Sequence, residues 1–426
     1  MKVLVIGGGG REHALVWKIA QSPMVSEIYC APGNAGIAEY AELVSIQSDD
    51  LKGLLNFALA KKIDLTIVGP EKPLAMGIVN LFQENGLAIF GPDEWAAWLE
   101  KDKIWAKKFL IAHKIPTVEK FAIFNQRRDS LEKCHRYASE NLPCAIKVQG
   151  LAGGKGVEVC YDEDKAAQML MRIFNGEFGE AGQRFIIERA IEGQEVSIQV
   201  ITDGQLVVPL LPAQDHKRLE VGDQGLNTGG MGAYAPVPFI GTRLKQRIMR
   251  EIIFPTINGL RRAGIIYRGC LYAGLMITPD GPKVLEFNCR FGDPELQPLV
   301  MLMKSDLLPI LETCARGRSL VNTEIEWKKG AAVCVVMVSD GYPVFYERGE
   351  EIKGLKKVAL MKNVSVFHAG TKENKRGKIV TNGGRVLGVT GYGTNIRRAI
   401  KKACQATKKI YWPGVFYRDD VGRKAL

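Results

Sequence analysis

The N-terminal segment constrains the fold more than any other stretch of the chain. KVLVIG (2–7) is a short apolar run, suited to a buried strand, that ends in the first of four consecutive glycines. REHALVWKIA (11–20) then has the apolar spacing of a helix. A strand, a glycine turn and a helix in this order open a doubly wound α/β domain, so we predict a parallel sheet at the N-terminus.

The rest of the chain divides into further regions. Strand-like and helix-like segments alternate up to about residue 100, as in LKGLLNFALAKK (51–62) and DLTIVGPE (64–71). A new region begins with the helical KDKIWAKKFLIAHKIPT (101–117), and residues 328–426 are basic and rich in strands. Because 426 residues are too many for one core, we predict three parts: 1–102, 103–327 and 328–426.

Composition excludes several classes of protein. The longest apolar run, AAVCVVMV (331–338), is too short to cross a membrane, and the N-terminus lacks the apolar core of a signal peptide. The nine cysteines are scattered without a CxxC pair, which favours reduced thiols over disulfides or a zinc site. We therefore expect a cytoplasmic protein with no membrane partner.

The net charge of +12 is concentrated at the C-terminus, where residues 328–426 hold 21 Lys and Arg against 7 Asp and Glu. Such a region could bind nucleic acid. The alternative is a solvated surface that attracts anionic substrates. We favour the second, with no nucleic-acid partner, because no nucleic-acid motif with interleaved aromatics accompanies the charge.

The segment LYAGLMITPDGPKVLEFNC (271–289) predicts a hairpin with its turn at residues 279–282. Its second strand continues as VLEFNCRF (284–291), which alternates polar and apolar residues. Glu286, Asn288 and Arg290 point to one face of such a strand. Glu286 and Asn288 offer two oxygen ligands to a hard cation such as Mg²⁺, and Arg290 suits a neighbouring phosphate. The alternative is an exposed edge strand with a polar face. Because FGDPE (291–295) follows directly, we favour a metal site.

Two further motifs suit a nucleotide. In QGLAGGKGV (149–157), glycine N–H groups and Lys155 could bind phosphates, with Lys147 on the preceding strand; a flexible hairpin is the alternative. It is no Walker A loop, because Gly156 follows the lysine. IIERAIEGQEVS (186–197) could form an adenine hinge, in which backbone groups at Arg189 and Ala190 bind the edge of the base, although acids at a surface are common.

The N-terminal glycines do not match the dinucleotide fingerprint, because Glu12 or His13 occupies the place of the third glycine. They suit an anion or substrate site, or only a tight turn. The loops QDHKR (214–218) and NTGGMGAY (227–234) are rich in polar and flexible residues, and we expect His216 to make a structural hydrogen bond. Together with the lysines and the Glu-x-Asn strand, the motifs describe an ATP-binding cleft with Mg²⁺.

At this level of detail the chain resembles the phosphoribosylamine–glycine ligase family of the ATP-grasp superfamily over nearly its full length. Any one motif is weak, but the whole set in this order is specific. The motifs are GGGGREHA (7–14), PGNAG (32–36), VGPEKPLAMGIV (68–79), GLAGGKGV (150–157), QDHKR, NTGGMGAY, LYAGLM (271–276), EFNCRFGDPE (286–295), GYP (341–343), FHAGT (367–371) and NGGRVL (382–387).

The resemblance implies a fold and a reaction. The fold is an N-terminal doubly wound substrate domain, an ATP-grasp region with a lid at about 120–190, and a small mixed C-terminal domain. The reaction joins glycine to 5-phosphoribosylamine through glycyl phosphate, with ATP and Mg²⁺ or Mn²⁺, and gives glycinamide ribonucleotide, ADP and phosphate. A monomer is also expected.

The resemblance also implies residue roles. The ATP-binding residues are Lys103, Lys147, Gly153, Gly154, Lys155, Gly156, Glu188, Ala190 and Glu195. The metal ligands are Glu286 and Asn288, and the catalytic residues are Arg290, Asp215, Lys217 and Asp293. The substrate-facing residues are Gly9, Gly10, Asn34, Glu71 and Gly292.

The chain departs from the family pattern at Asp102, where serine is usual, and at Gln149, which replaces an acid. Arg189, Gly153 and Leu226 also differ from the usual residues. Another acid–amine ligase or carboxylase of the same superfamily is the nearest alternative function. A nicotinamide oxidoreductase would rest only on the broken glycine fingerprint.

Overall fold

The computed structural model describes residues 1–426. The N-terminal unit is the predicted parallel sheet, with its strands in the order β3-β2-β1-β4-β5. The strands are β1 (Lys2–Gly7), β2 (Glu27–Pro32), β3 (Glu42–Leu43), β4 (Leu65–Val68) and β5 (Ile89–Phe90). The helices are α1 (Gly10–Ile19), α2 (Leu51–Lys61), α3 (Glu71–Ala75), α4 (Ile78–Glu84) and α5 (Trp98–Lys101).

Helix α6 (Lys103–Ala112) leads from this unit to a separate antiparallel sheet, ordered β6-β9-β7-β8, which we call the lid. A cluster of thirteen buried apolar residues, all between residues 124 and 187, gives the lid a core of its own. The lid elements are β6 (Phe121–Asn125), α7 (Leu131–Ser139), β7 (Cys144–Val148), β8 (Val157–Cys160), α8 (Glu163–Phe174) and β9 (Arg184–Arg189).

A second antiparallel sheet faces the lid, with the order β11-β10-β16-β17. The predicted hairpin 271–289 is its β16–β17 pair. The elements from here to the C-terminal region are β10 (Gln194–Thr202), β11 (Val207–Pro209), β12 (Gln214–Asp215), β13 (Arg218–Glu220), β14 (Gln224–Asn227), β15 (Gly232–Ala235), α9 (Thr242–Ile248), α10 (Phe254–Arg262), β16 (Gly269–Thr278), β17 (Gly281–Asn288), α11 (Leu296–Leu302) and α12 (Leu308–Ala315).

The C-terminal residues do not build their sheet alone. Its order is β12-β15-β18-β22-β19, with β23 paired to β18, so residues 214–235 supply two strands. The predicted boundary at residue 327 therefore divides the chain but does not divide this sheet, which contains strands from both sides of the boundary. The remaining elements are β18 (Ala331–Val338), α13 (Leu355–Ala359), β19 (Val364–His368), β20 (Thr371–Glu373), β21 (Ile379–Thr381), β22 (Arg385–Gly393), α14 (Ile396–Thr407) and β23 (Phe416–Tyr417).

The largest apolar core joins the N-terminal unit to the rest of the body. Val3 and Ile19 of that unit share it with Leu299 of α11 and Phe367 of β19. The body around the cleft is therefore one packed unit, against which the lid rests. No helix is long and apolar enough to cross a membrane.

Candidate active site

The main cavity is a cleft of about 1430 Å³ between the lid, the β10–β17 sheet and the N-terminal unit. Glycines 7–9 of the N-terminal unit and Gly153, Gly154 and Gly156 of the glycine loop in the lid all line this cleft. Nearly all residues singled out from the sequence line this one cleft, and Gly10, Asn34, Lys155 and Gly292 lie beside it. The sequence motifs, far apart in the chain, thus converge on one site.

The metal strand β17 has a bulge. Leu275 pairs with Val284 and Gly274 with Glu286, which leaves Leu285 without a partner residue. Glu286 and Asn288 follow on the face toward the cleft, while Phe287 between them is buried in the core. Burial opposes ionisation of Glu286, but Lys217, Lys103 and Lys147 outweigh it and lower its pKa. An ionised carboxylate beside an amide is an oxygen donor set that suits Mg²⁺ or Mn²⁺.

Arg290 differs from the expectation. It lies beyond the end of β17, and its guanidinium is held by two carboxylates, Glu100 at 3.0 Å and Glu71 at 3.3 Å. Burial raises the pKa of Glu100 to about 7, although Arg290 partly opposes this. Glu71, predicted to face the amine substrate, is therefore a partner of Arg290 in this conformation.

Two lysines share one buried carboxylate. Glu188 Oε1 lies 2.6 Å from Lys147 Nζ, and Glu188 Oε2 lies 2.7 Å from Lys107 Nζ. Burial opposes ionisation of Glu188, yet the two ammonium groups lower its pKa. Lys147 also donates to Leu285 O at the bulge, at 3.1 Å. The resemblance assigns Glu188 to ATP binding, and here its carboxylate fixes the positions of Lys147 and Lys107.

The glycine loop of the lid lies against NTGGMGAY. Gly153 and Gly154 adopt positive φ angles of 56° and 80°, a conformation that favours glycine. The Cβ position of Gly154 lies 3.6 Å from Gly229 Cα, and Asn227 Nδ2 donates to Val157 O at 3.1 Å. The exposed Lys155 and the buried Gly156 complete the loop, most of which lines the cleft.

The hinge after β9 corrects one prediction. The Ala190 N–H donates to Pro143 O at 2.8 Å and the Arg189 N–H to Lys120 O at 3.1 Å, so neither is free for a base. The N–H of Ile191 has no partner within the protein, and Ile191 lines the cleft, so its N–H is the better candidate. Glu195 lines the cleft at the start of β10, and its carboxylate is in no ion pair.

The wall of the cleft next to β17 is formed by acidic residues and by one lysine, Lys217. Lys217 Nζ lies 3.3 Å from Asp215 Oδ2 and 3.8 Å from Glu286 Oε1. Burial opposes its charge, but Asp215 and the other carboxylates raise the pKa of Lys217 well above its ordinary value. Burial raises the pKa of Asp215. This wall can hold both ends of a small amino acid.

The loop after the wall is held tightly. Glu295 Oε1 accepts hydrogen bonds from Ser197 Oγ at 2.8 Å and from Tyr272 OH at 2.9 Å, and burial raises the pKa of Glu295. The Gly292 N–H donates to Gln199 Oε1 at 2.9 Å. A Cβ on Gly292 would come within 2.5 Å of Glu295, which explains the glycine there.

The N-terminal glycine loop faces carboxylates of the protein itself. The Gly9 N–H donates to Glu12 Oε2 at 2.6 Å, and the Asp293 carboxylate lies 3.4 Å from the Cβ position of Gly10. Asp293 also pairs with Arg385 at 3.0 Å. This end of the cleft therefore suits an amine better than an anion.

Asn34 has no free polar atom. Its Nδ2 donates to Gly8 O and His368 O, and its Oδ1 accepts from the N–H groups of Gly36 and Ile37. Its side chain thus organises the junction with the C-terminal sheet, where the expectation was a substrate contact. A second pocket of about 490 Å³ lies beside this junction and is lined by Gly9, Lys155, Tyr342, Thr371, Asn382 and Arg385.

His216 is buried, and its Nε2 accepts from the Gly422 N–H at 3.3 Å. Burial lowers the pKa of His216 to about 4, so this histidine is neutral and structural at physiological pH.

Sequence reasoning missed Lys107, Glu100 and Arg385. Lys107 lies one turn after Lys103 on α6, and this i, i+4 spacing is a signal that could have found it. Arg385 lies within the motif NGGRVL, but the motif did not show that this arginine contacts Asp293, and Glu100 lies in no motif, so only the tertiary contacts identify their roles.

A lid sheet and a second antiparallel sheet that hold lysines on one side and a Glu-x-Asn strand on the other define a protein of the ATP-grasp class. Biotin carboxylase from Campylobacter jejuni shares this fold, with a TM-score of 0.73 at 15% identity over 99% of this chain and 94% of that one. Family models for the N, ATP-grasp and C domains of phosphoribosylglycinamide synthetase match residues 1–100, 101–296 and 332–424. The chain belongs to this family of ATP-dependent ligases of purine biosynthesis.

Known relatives are similar to this chain over nearly the full length of both proteins. Phosphoribosylamine–glycine ligase of Haemophilus influenzae is 48% identical over 431 residues, covering 100% of this chain and 99% of that protein. The Nostoc ligase is 47% identical and covers 99% of each. The structure of the Thermotoga maritima ligase superposes with a TM-score of 0.83 at 30% identity, over 99% of this chain and 100% of that one.

Proposed function

We propose that this enzyme ligates glycine to 5-phosphoribosylamine through glycyl phosphate, with ATP as the phosphoryl donor. The observation that carries the proposal is the continuity of the cleft. Phosphate-facing lysines, the Lys217 wall and the N-terminal glycine loop line one cavity, so three substrates can meet without leaving it. The domain roles assigned to 1–102, 103–327 and 328–426, a monomeric state and a cytoplasmic location belong to the same proposal.

The first step needs a carboxylate to attack phosphorus. We place the glycine carboxylate at Lys217, between Asp215 and the metal strand, with its ammonium toward the acidic wall. A carboxylate oxygen attacks the γ-phosphorus, the bond to the β–γ bridging oxygen breaks, and ADP leaves. Lys103 and Lys147 hold the phosphates in line, and their positive charge offsets the charge of the transferring group.

A divalent cation, Mg²⁺ or Mn²⁺, would be held by Glu286 and Asn288 and would neutralise phosphate charge when bound. Arg290, held in place by Glu71 and Glu100, lies between the residues assigned to this step and those assigned to the next step. The lid loop excludes water, which would otherwise hydrolyse the acyl phosphate.

In the second step the amine of phosphoribosylamine attacks the acyl carbon, the C–O bond to phosphate breaks, and inorganic phosphate leaves. The amine loses one proton overall. We place this amine near Asp293 and the glycine loop, and the phosphate end of the sugar in the neighbouring pocket with Lys155. The adenine lies at the hinge, with its base edge at the Ile191 N–H and its ribose near Glu195.

The test is ADP release by the purified protein with Mg²⁺, ATP and glycine, with and without freshly generated phosphoribosylamine. Release that requires both co-substrates supports the proposal. Release with neither, or none despite tight ATP binding, leaves the ATP-grasp fold intact and rules out this acid and this amine.

A further inference from the structure

The beginning of α6 is bonded to the root of the lid loop through a pair of side chains. Asp102 is the N-cap residue of α6, and its Oδ1 accepts from the N–H groups of Ile104 and Trp105, each at 2.9 Å. Its second oxygen, Oδ2, accepts from Gln149 Nε2 at 2.5 Å. Gln149 follows the last residue of β7, where the glycine loop begins.

Capping does not account for the second bond. An N-cap needs one side-chain oxygen, and serine provides it as well as aspartate does. The Oδ2 atom is therefore available for a separate purpose, which is to hold the lid. Asp102 and Gln149 are two of the positions where this chain departs from the family pattern, and here they are bonded to each other.

Lys103 lies within this junction. Its N–H donates to Gln149 O at 3.0 Å, and its Nζ donates to Gly150 O at 3.2 Å. The lid side of the junction is rigid, because the Gln149 N–H donates to Arg184 O at 2.9 Å and the Gly150 N–H to Ala181 O at 3.1 Å. A triphosphate that binds the Lys103 ammonium removes the bond to Gly150 O. The bond from Lys103 N–H to Gln149 O and the bond between Gln149 and Asp102 remain.

We propose that Asp102 and Gln149 are positioning residues that hold Lys103 and the root of the glycine loop in register, so that Lys103 and Lys147 converge on one triphosphate. The inference rests on the phosphate-binding role proposed for Lys103. The Asp102–Gln149 bond limits how far the lid can slide along α6, and this preorganisation favours ATP binding more than the chemical step.

The test uses four variants of the full-length protein. Asp102→Ser keeps the cap but is too short to reach Gln149, and Gln149→Leu removes the donor at similar size. Asp102→Asn keeps the cap oxygen and can donate to the amide oxygen of a rotated Gln149, which restores the bond without the charge. Asp162→Ser is the matched control, because Asp162 caps α8 through Lys165 N and bonds nothing else.

The readouts are the Kd for MgATP, from tryptophan fluorescence or calorimetry, and the separate kcat and KM values for ATP and glycine. Loss of one hydrogen bond that orders the site corresponds to about tenfold at the upper end of the usual range. We expect Asp102→Ser and Gln149→Leu each to raise Kd and KM for ATP about tenfold, with kcat and KM for glycine within about twofold. Asp102→Asn and Asp162→Ser are expected to match the wild type, and the double variant Asp102→Ser/Gln149→Leu to be no weaker than either single one.

Three results would overturn the inference: unchanged ATP affinity in Asp102→Ser and Gln149→Leu, additive losses in the double variant, or an equal loss in Asp102→Asn. Lys103→Met separates this outcome from failure of the proposed role of Lys103. If Lys103→Met leaves ATP affinity unchanged, that role is wrong whatever the pair does.

Discussion

Replacement of Glu188 tests the charge balance beneath the phosphate site. The side chain of Glu188 is 2% exposed, and its partners Lys107 and Lys147 are 5% and 10% exposed. Glu188→Gln keeps the shape and one acceptor but leaves two buried ammonium groups without a counter-charge. Removing one partner of a buried pair costs about 3–5 kcal/mol, so we expect the free energy of unfolding to fall by about 3 kcal/mol or more.

The pH dependence follows from the lowered pKa of Glu188. A carboxylate whose pKa is lower in the folded state stabilises the fold above its unfolded pKa, and this contribution is lost as pH falls through the lowered folded value. The pKa of Lys107 is also lowered, since burial and Lys147 outweigh the attraction of Glu188. We use the lowered pKa of Glu188 to predict how the stability of the whole cluster depends on pH, because two lysines favour the charged form of Glu188. The difference between wild type and Glu188→Gln should therefore shrink in acid.

Urea denaturation at neutral pH measures the loss, and a MgATP titration measures its effect on binding. In Glu188→Gln/Lys107→Met one of the two uncompensated charges is gone, so about half of the lost stability should return. A loss below about 1 kcal/mol in Glu188→Gln, or no recovery in the double variant, would refute the reasoning, because water would then already screen the lysines.

Further substitutions test the other parts of the site. Glu286→Gln should weaken the use of metal and ATP and leave the fold intact; an unchanged rate at limiting Mg²⁺ would remove Glu286 from the metal site. Arg290→Ala should lower kcat far more than ATP affinity, and equal losses in both would make Arg290 a binding residue only. Arg418 is fully buried and pairs with Asp420 at 2.6 Å and Asp223 at 2.9 Å, so Arg418→Met should destabilise the protein by about 3 kcal/mol in thermal or urea denaturation. Despite burial, the ion pair with Arg418 lowers the pKa of Asp420 to about 2. The stabilisation that this pair provides should therefore be lost only as pH falls below the ordinary aspartate range. A denaturation midpoint of Arg418→Met that matches the wild type at neutral pH would contradict this.

Local sequence patterns predicted the elements that carry the site. The apolar run of β1, the hairpin of β16 and β17 and the glycine loop between β7 and β8 all occur where the patterns place them. Alternation within β17 predicted that Glu286 and Asn288 share one face; both line the cleft, and Phe287 between them is buried, because the side-chain period of a strand is local. Family membership and the ATP-grasp fold agree with the resemblance drawn from the motifs.

Pairing between distant residues could not be predicted in the same way. The N–H of Ala190 is not free for a base because it donates to Pro143 O, across the lid. The side-chain amide of Asn34 donates to the backbone oxygens of Gly8 and His368. The guanidinium of Arg290 forms ion pairs with Glu71 and Glu100. Each of these outcomes depends on a partner far away in the chain.

The sequence by itself determined which segments are strands and helices, which chemical groups each motif carries and which family the motifs resemble, because these depend on neighbours within a few residues and on the order of motifs. The tertiary structure alone decided which charges meet. Glu188 between two lysines, Asp102 against Gln149 and Arg418 between two aspartates arise from packing of separate elements. In a buried site the electrostatic energy depends on distances of a few ångströms between such groups, and no local pattern encodes those distances.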